Sequence, residues 1–284
     1  MEDILKVSEV SKSFANFKLD KVSFNIKENC ITGFLGKNGA GKTTIIKILL
    51  GLLKKDSGDI TFFPNNQQMD RSLIKNKIGV VLDDGFFYDN LTLTEMKNLI
   101  ASSYNAWDED KYQEFLRGFR LNPKQSISTL SKGMKLKYSL SLALSHGADL
   151  LIMDEPTSGL DPEIRKELMD ILIEFVQEKG KSAFFSTHIT SDLERCADEI
   201  IIIDDGRIVE QVGKDELMES YRLMKGSLKD LESLNQESFK IIDKTNYGFI
   251  GITNQFQPIK SINPNIVLER ATLEDIFLSM VGRE

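Results

Sequence analysis

The stretch Gly36-Lys37-Asn38-Gly39-Ala40-Gly41-Lys42-Thr43 constrains this chain most. It fits G-x-x-x-x-G-K-[ST], a glycine-rich loop that cradles phosphates. The apolar run Cys30-Ile31-Thr32-Gly33-Phe34-Leu35 leads into it and reads as a short buried strand. Thr43-Thr44-Ile45-Ile46-Lys47-Ile48-Leu49-Leu50 leads out and reads as a buried helix. Glycines let backbone N–H groups curl round a phosphate oxygen without Cβ clashes, and the helix dipole points its positive end at the same anion. Lys42 can reach β- and γ-phosphates, and the Thr43 hydroxyl can ligate Mg²⁺. A chain built on this unit is expected to be α/β, with its ligand at the carboxyl edge of a parallel sheet.

The rest of the composition narrows the field. The 284 residues, 41% of them apolar, suit one main body with an appendage. The formal net charge of −7 argues against a nucleic-acid partner. The first hundred residues are nearly neutral and the acidic excess falls after them, so the basic loop lies in the less acidic part. Cys30 and Cys196 lie in apolar surroundings with no metal spacing, which fits two free thiols in a reducing compartment. The N-terminal Met1-Glu2-Asp3 lacks a signal-peptide pattern. No stretch approaches the ~18–20 apolar residues of a membrane span. Any membrane role is expected to come through a partner.

Along the chain, residues 4–10 and 22–26 read as strands with Phe14 in the loop between them. Asp59–Phe62 and Ile78–Leu82 are further short strands. From about 86 to 149 the pattern turns helical. Thr92 and Glu95 form a capping box, Asp108 caps a second helix carrying Tyr112, Phe115, Leu116 and Phe119, and a third begins near Ser131. The aromatic stripe reads as core. The α/β pattern resumes with Leu150-Leu151-Ile152-Met153, ending in Asp154-Glu155. Asp161-Pro162 starts a helix with cap and first-turn proline in their favoured places. Ala183-Phe184-Phe185 is a strand ending near Ser186-Thr187-His188, Ile200–Ile203 is another, and Asp205-Gly206 turns into a final one. Residues 1–213 are expected to form the main body and 214–284 a small α+β accessory unit. Within the latter, 214–237 reads as mostly helical, Phe239–Ile242 and Phe249–Ile252 as a hairpin, and Thr272 with Asp275 as the cap of a last helix.

The candidate chemistry lies at strand ends. Asp154 closes an apolar strand, where a carboxylate can hold Mg²⁺ through water. Glu155 follows and is suited to orient and deprotonate a water aimed at a γ-phosphate. His188 follows a strand at the same edge and can contact that phosphate. His146 reads as structural, with no partner evident in the sequence.

With these residues in hand, the chain resembles the ATP-binding subunit of an ABC transporter. Leu130-Ser131-Lys132-Gly133-Met134 is similar to the family's signature motif. Leu150 to Thr157 resembles its Walker B strand with the glutamate, Ser158-Gly159-Leu160-Asp161 its D-loop, and His188 its switch histidine. Phe14 falls where the family places an aromatic that stacks on adenine. Five motifs in the family's order cover roughly residues 4–213.

The resemblance implies a P-loop NTPase cassette with a mostly parallel core sheet, an antiparallel β subdomain and a helical insert. It implies ATP bound by Phe14, Gly36, Asn38, Gly39, Ala40, Gly41, Lys42, Thr43 and Thr44, with Ser131 and Gly133 contacting the nucleotide of a second cassette, identical or paralogous. Thr43, Asp83 and Asp154 would hold Mg²⁺, and Glu155 and His188 would carry hydrolysis. The partners implied are that second cassette and integral membrane permease subunits, with the chain peripheral on the cytoplasmic face of the membrane and no nucleic acid bound. Three positions depart from the family's pattern. Lys132 stands for a usual glycine, Met134 for a usual glutamine in the signature, and Asp83 for the glutamine before the helical insert. The segments Tyr221–Gly226 and Ala271–Leu278 look like the tails of bacterial exporter ATPases for drugs and small amphipathic peptides, phenol-soluble modulin exporters included. The competing readings are a soluble non-transport ABC ATPase acting on ribosome or DNA, and a module that binds ATP without hydrolysing it. One cassette, no sustained heptads and no strong basic patch speak against the first; Glu155 speaks against the second.

Overall fold

In the computed structural model, residues 2–65, 69–82, 87–232, 234–235 and 238–281 are described. β1 (Asp3–Ser13) and β2 (Lys18–Lys27) are a hairpin whose period-2 apolar positions, such as Val22, Phe24 and Ile26, are buried. β3 (Ile31–Leu35) is buried throughout, and the glycine-rich loop joins it to α1 (Lys42–Leu49). β4 (Ser57–Phe62) returns to pair with β1. A helix α2 (Arg71–Asn76), capped by Asp70, precedes β5 (Ile78–Leu82).

The helical insert follows. α3 (Leu93–Ala101) opens on the Thr92–Glu95 capping box, and α4 (Glu109–Gly118) is capped by Asp108. α5 (Lys132–Leu144) starts at Ser131, whose side chain accepts from Met134 N–H. Leu93, Met96, Tyr112, Leu116, Ile127 and Tyr138 form its core, so the aromatics are packing residues, as expected. The Tyr138 hydroxyl donates to Leu93 O at 2.8 Å, which satisfies its buried polar tip.

The sheet then continues with β6 (Leu150–Asp154), α6 (Pro162–Gln177), β7 (Ser182–Thr187), α7 (Thr190–Cys196), β8 (Glu199–Asp204) and β9 (Arg207–Gly213). Among the described residues the strands form three sheets. The central one has the order β5-β6-β7-β3-β8-β9, parallel except for β9. The inner strands β6, β7 and β3 are buried at every position and mostly apolar, because both faces are covered. Ile200 and Ile202 face the cluster containing Leu140, Leu172 and Phe185, whereas Ile201 and Ile203 face the one containing Ile45, Ile46 and Phe184. The antiparallel sheet β2-β1-β4 packs on this second side. Phe24, Phe34 and Phe184 bridge the two sheets with ring centroids 5.5–5.7 Å apart.

The last part comprises α8 (Lys214–Ser220), β10 (Arg222–Gly226), α9 (Leu228–Glu232), β11 (Lys240–Lys244), β12 (Phe249–Thr253), α10 (Phe256–Ile262), β13 (Val267–Arg270) and α11 (Leu273–Met280). Its sheet has the order β11-β12-β10-β13, antiparallel throughout. The β11–β12 hairpin and the Thr272–Asp275 capping box are as expected. The expectation of a mostly helical 214–237 is corrected, since β10 runs through the middle of it. Leu223 and Met224 turn to opposite faces, Met224 into a small local core with Phe249 and Ile259. α11 packs on α7, with Ile276, Phe277 and Leu193 in the same buried cluster, and Glu194 accepts from the Leu273 N–H at 2.7 Å.

Candidate active site

Three parallel strands end level with one another. β3 and β7 pair Leu35 with Thr187, and β6 and β7 pair Asp154 with Ser186. The loop after β3, the acids at the end of β6 and the histidine after β7 therefore emerge at one carboxyl edge, where an open α/β sheet takes its ligands.

The loop is shaped for an anion. Gly36 and Ala40 are buried at its base, while Asn38 and Gly39 are exposed at its crest. Gly41 has φ +111°, in a region that only glycine occupies without strain. It serves as the N-cap of α1, and no side chain caps this helix or places an acid in its first turn. The positive end of α1 is thus left for a ligand. Thr43 is exposed there, with Thr44 half-buried beside it. Lys42 is 5% exposed, and its Nζ donates to Gly36 O at 2.8 Å, Lys37 O at 3.1 Å and Glu155 Oε1 at 3.0 Å. These three acceptors match the three hydrogens of an ammonium. A buried cation, an uncapped helix start and glycine backbone together fit a nucleotide triphosphate.

Glu155 is the hinge of the cluster. Its Oε1 meets Lys42 and its Oε2 lies 2.8 Å from His188 Nδ1. Its backbone is left-handed, φ +46°, a strain of about 1–3 kcal/mol for a residue with a Cβ. Asp154, buried, stays one residue back and accepts from the Ser186 hydroxyl at 2.6 Å. Its hard carboxylate oxygens, and the exposed Thr43 hydroxyl at the start of α1, are donors of a kind that suits Mg²⁺. Among the described residues no group of three or more His, Cys, Asp or Glu could hold a metal by itself.

The other candidates stand apart from this cluster. Phe14 lies in the β1–β2 loop, 44% exposed, with Lys12 Nζ 5.9 Å from its ring centre. Phe17, 6.2 Å from Phe14 between centroids, is the aromatic that comes against Gly41. Ser131 is exposed at the start of α5. Gly133 is buried under Ile164 of α6, and a Cβ there would collide with Ile164 Cδ1. The Lys132 side chain runs beside Gly159 of the same chain. Asp83 lies outside the described residues. His146 does have partners: its nitrogens are each 3.2 Å from a carbonyl, Leu142 O and Ile78 O, and its ring stacks on Tyr104. Sequence spacing could not reveal them, because Ile78 and Tyr104 come from distant elements. Ser186, in contact with both acids, was visible only as part of a strand end.

A profile of the ABC transporter family matches residues 19–158. The bacitracin transport ATP-binding protein BcrA of Bacillus licheniformis is 32% identical over 301 aligned positions, covering 99% of this chain and 98% of that protein. The chain belongs to the ATP-binding proteins of ABC transporters. As an ABC ATPase it binds and hydrolyses ATP, and it is the ATPase subunit of a bacterial transporter. An uncharacterised ABC transporter ATP-binding protein of Bacillus subtilis, YcbN, is 34% identical over 220 positions, 76% of this chain and 72% of that one. Among solved structures, the ATP-binding subunit of an ABC transporter superposes with TM-score 0.66 at 27% identity, covering 76% of this ABC ATPase and 92% of that chain. The structure of cbiO1 from Clostridium perfringens, part of the ABC transporter complex cbiONQ, does so with TM-score 0.63 at 26% identity, covering 76% and 91%. The α/β fold with a mostly parallel sheet and an antiparallel sheet is that of these cassettes. No helix among the described residues is long and apolar enough to cross a membrane.

Proposed function

We propose that this ABC ATPase drives export of small molecules or amphipathic peptides through separate permease subunits, working on the cytoplasmic face of the membrane as one of a pair of cassettes. The observation that carries the reading is the junction of Lys42, Glu155 and His188 from three strand ends. In this reading Lys42 and the loop from Gly36 to Thr44 hold the phosphates, and Phe14 stacks on adenine. Thr43 and Asp154, with Asp83, hold Mg²⁺, which supplies positive charge to the phosphate oxygens when bound. Glu155 orients and deprotonates the attacking water, held on its far side by His188.

Two further features support pairing and export. One chain carries one phosphate loop and one Ser131–Gly133 turn, in which the Ser131 hydroxyl accepts from the Met134 N–H and Gly133 packs under Ile164. An exposed helix start of this kind suits the nucleotide of a second cassette. The tail likeness supports export, and the relatives named for bacitracin transport support a peptide-like cargo. Residues 214–284 serve in this reading as an accessory unit with its own sheet, tied to the cassette by α11.

Light scattering of Glu155→Gln with saturating ATP tests the pairing, and co-expression with the permease subunits tests the assembly. A dimer that forms only with ATP and copurification with the permeases are expected. A monomer under those conditions contradicts the pairing. ATP-driven accumulation of labelled bacitracin in inverted vesicles is the outcome that export requires; loss of preloaded label from them would mean import.

A further inference from the structure

Asp154 and Glu155 are consecutive, yet they must do different things: one faces a metal, the other a water. The side chain that separates their duties is Ser186. It lies in β7, in register with Asp154 of β6 on one side and with Phe34 of β3 on the other, and it is fully buried. Its Oγ donates to Asp154 Oδ1 at 2.6 Å and accepts the Glu155 N–H at 3.0 Å. A hydroxyl has one hydrogen, and both the carboxylate and the amide leave it no choice of direction. The proton goes to Asp154 and the lone pair to Glu155. That second bond falls on the one residue of the pair with left-handed backbone, φ +46°. Such a conformation persists only where its surroundings over-determine it. On that backbone the Glu155 carboxylate meets both Lys42 and His188.

The residues leading up to Ser186 are apolar, whereas Thr187 after it is polar and equally buried. Ala183, Phe184 and Phe185 precede it, each fully buried and apolar. An alanine at 186 would suit that interior, leaving the Glu155 N–H without this acceptor and Asp154 Oδ1 without this donor.

We propose that Ser186 is a positioning residue for ATP hydrolysis, one hydroxyl fixing both the Asp154 carboxylate and the backbone of Glu155. The inference rests on the roles proposed above for those two acids. It assigns Ser186 no contact with nucleotide, so its loss acts on the metal and the water and spares ATP affinity.

The test uses the full chain with Ser186→Ala, Ser186→Cys and Ser186→Thr, beside Asp154→Asn and Glu155→Gln. Thermal unfolding reports folding. Steady-state hydrolysis gives kcat and KM. Binding of a fluorescent ATP analogue, titrated with Mg²⁺ and repeated in chelator, gives a readout free of turnover. For Ser186→Ala, kcat is expected to fall about 10–100-fold, the range for losing a group that orients a metal-binding carboxylate. More Mg²⁺ should be needed for tight analogue binding, while KM and binding in chelator stay as in the wild type. Ser186→Thr, which keeps the hydroxyl, should retain most of kcat. If the alanine variant does not fold, Ser186→Cys, close in size but a weak donor, carries the same expectations. Wild-type kcat and Mg²⁺ dependence in the alanine or cysteine variant, with Glu155→Gln inactive, overturns the inference and leaves the roles of the acids standing. Wild-type activity in the acid variants as well overturns both. Equal loss of binding in chelator also overturns the inference, because it would mean general damage to the site.

Discussion

Glu155 Oε1 lies 3.0 Å from Lys42 Nζ, so the proposed base for the attacking water and the proposed phosphate cation form one ion pair. The pair is largely enclosed, with the two side chains 15% and 5% exposed. In the proposed function this pair would link nucleotide entry to the release of the base. In that reading a phosphate arriving at Lys42 competes with Glu155 for the same ammonium, and among the described residues His188 is the partner that then remains to the Glu155 carboxylate.

Lys42→Ala removes the buried cation. A hydrogen bond to a charged group contributes about 1.5–3 kcal/mol, so ATP affinity should fall roughly 10–150-fold. Isothermal titration with ATP checks this. Unchanged affinity would reduce the loop to a turn.

Phe14→Ala separates stacking from packing. Phe14 is 44% exposed, and exposed positions usually shift stability by no more than about 0.5 kcal/mol. Stacking on a base contributes about 1–3 kcal/mol elsewhere. Weaker ATP binding at near-unchanged melting temperature is expected. A drop in stability without a change in affinity would assign Phe14 to the core.

Arg165→Ala tests the tie between α6 and α7. Arg165 Nη2 lies 2.6 Å from Asp192 Oδ1, and the other carboxylate oxygen is buried with no hydrogen-bond partner among the described residues. Removing one side of a buried pair costs about 3–5 kcal/mol, and the lower end applies because Arg165 is partly exposed. Urea unfolding should show a loss near ~3 kcal/mol, with Asp192→Asn milder. Equal stability of Arg165→Ala and wild type would show that the pair is dispensable.

His146 gives a pH dependence. Its burial holds its pKa below the usual histidine value; Lys181 adds to this, and the carbonyls of Leu142 and Ile78 oppose it. The unfolded chain therefore takes up the proton first as pH falls. The stability contributed by neutral His146 is complete above the ordinary histidine pKa and lost as pH falls through the lower folded value. Urea midpoints of wild type and His146→Asn, compared from about pH 7.5 down to about pH 5.5, should converge. A constant gap would mean that His146 does not titrate between the two states.

The parts of this fold legible in the sequence are those with fixed local chemistry. The loop from Gly36 to Thr43 declares its backbone, and Thr92–Glu95 and Thr272–Asp275 declare their helix starts by side chains three residues apart. Four consecutive isoleucines at 200–203 leave only a strand covered on both faces. β10 was hidden because five residues are too few to display a period, and the charged residues around it favour helix. The position of Ser186 beside Asp154 is a matter of strand register between segments 32 residues apart, which no local pattern encodes. For the same reason the contact of His146 with Ile78 could not be read in advance.

The most direct measurement is phosphate release by wild type and Glu155→Gln, set beside their ATP affinities. The substitution keeps the size of the side chain but removes the proton acceptor and the charge that competes for Lys42. Loss of a positioned general base costs about 10²–10⁴ in rate, so turnover should fall by that factor. ATP should bind Glu155→Gln more tightly than wild type. Near wild-type turnover, or weaker ATP binding in Glu155→Gln, would contradict the pairing of Lys42 and Glu155 as the centre of the ATPase.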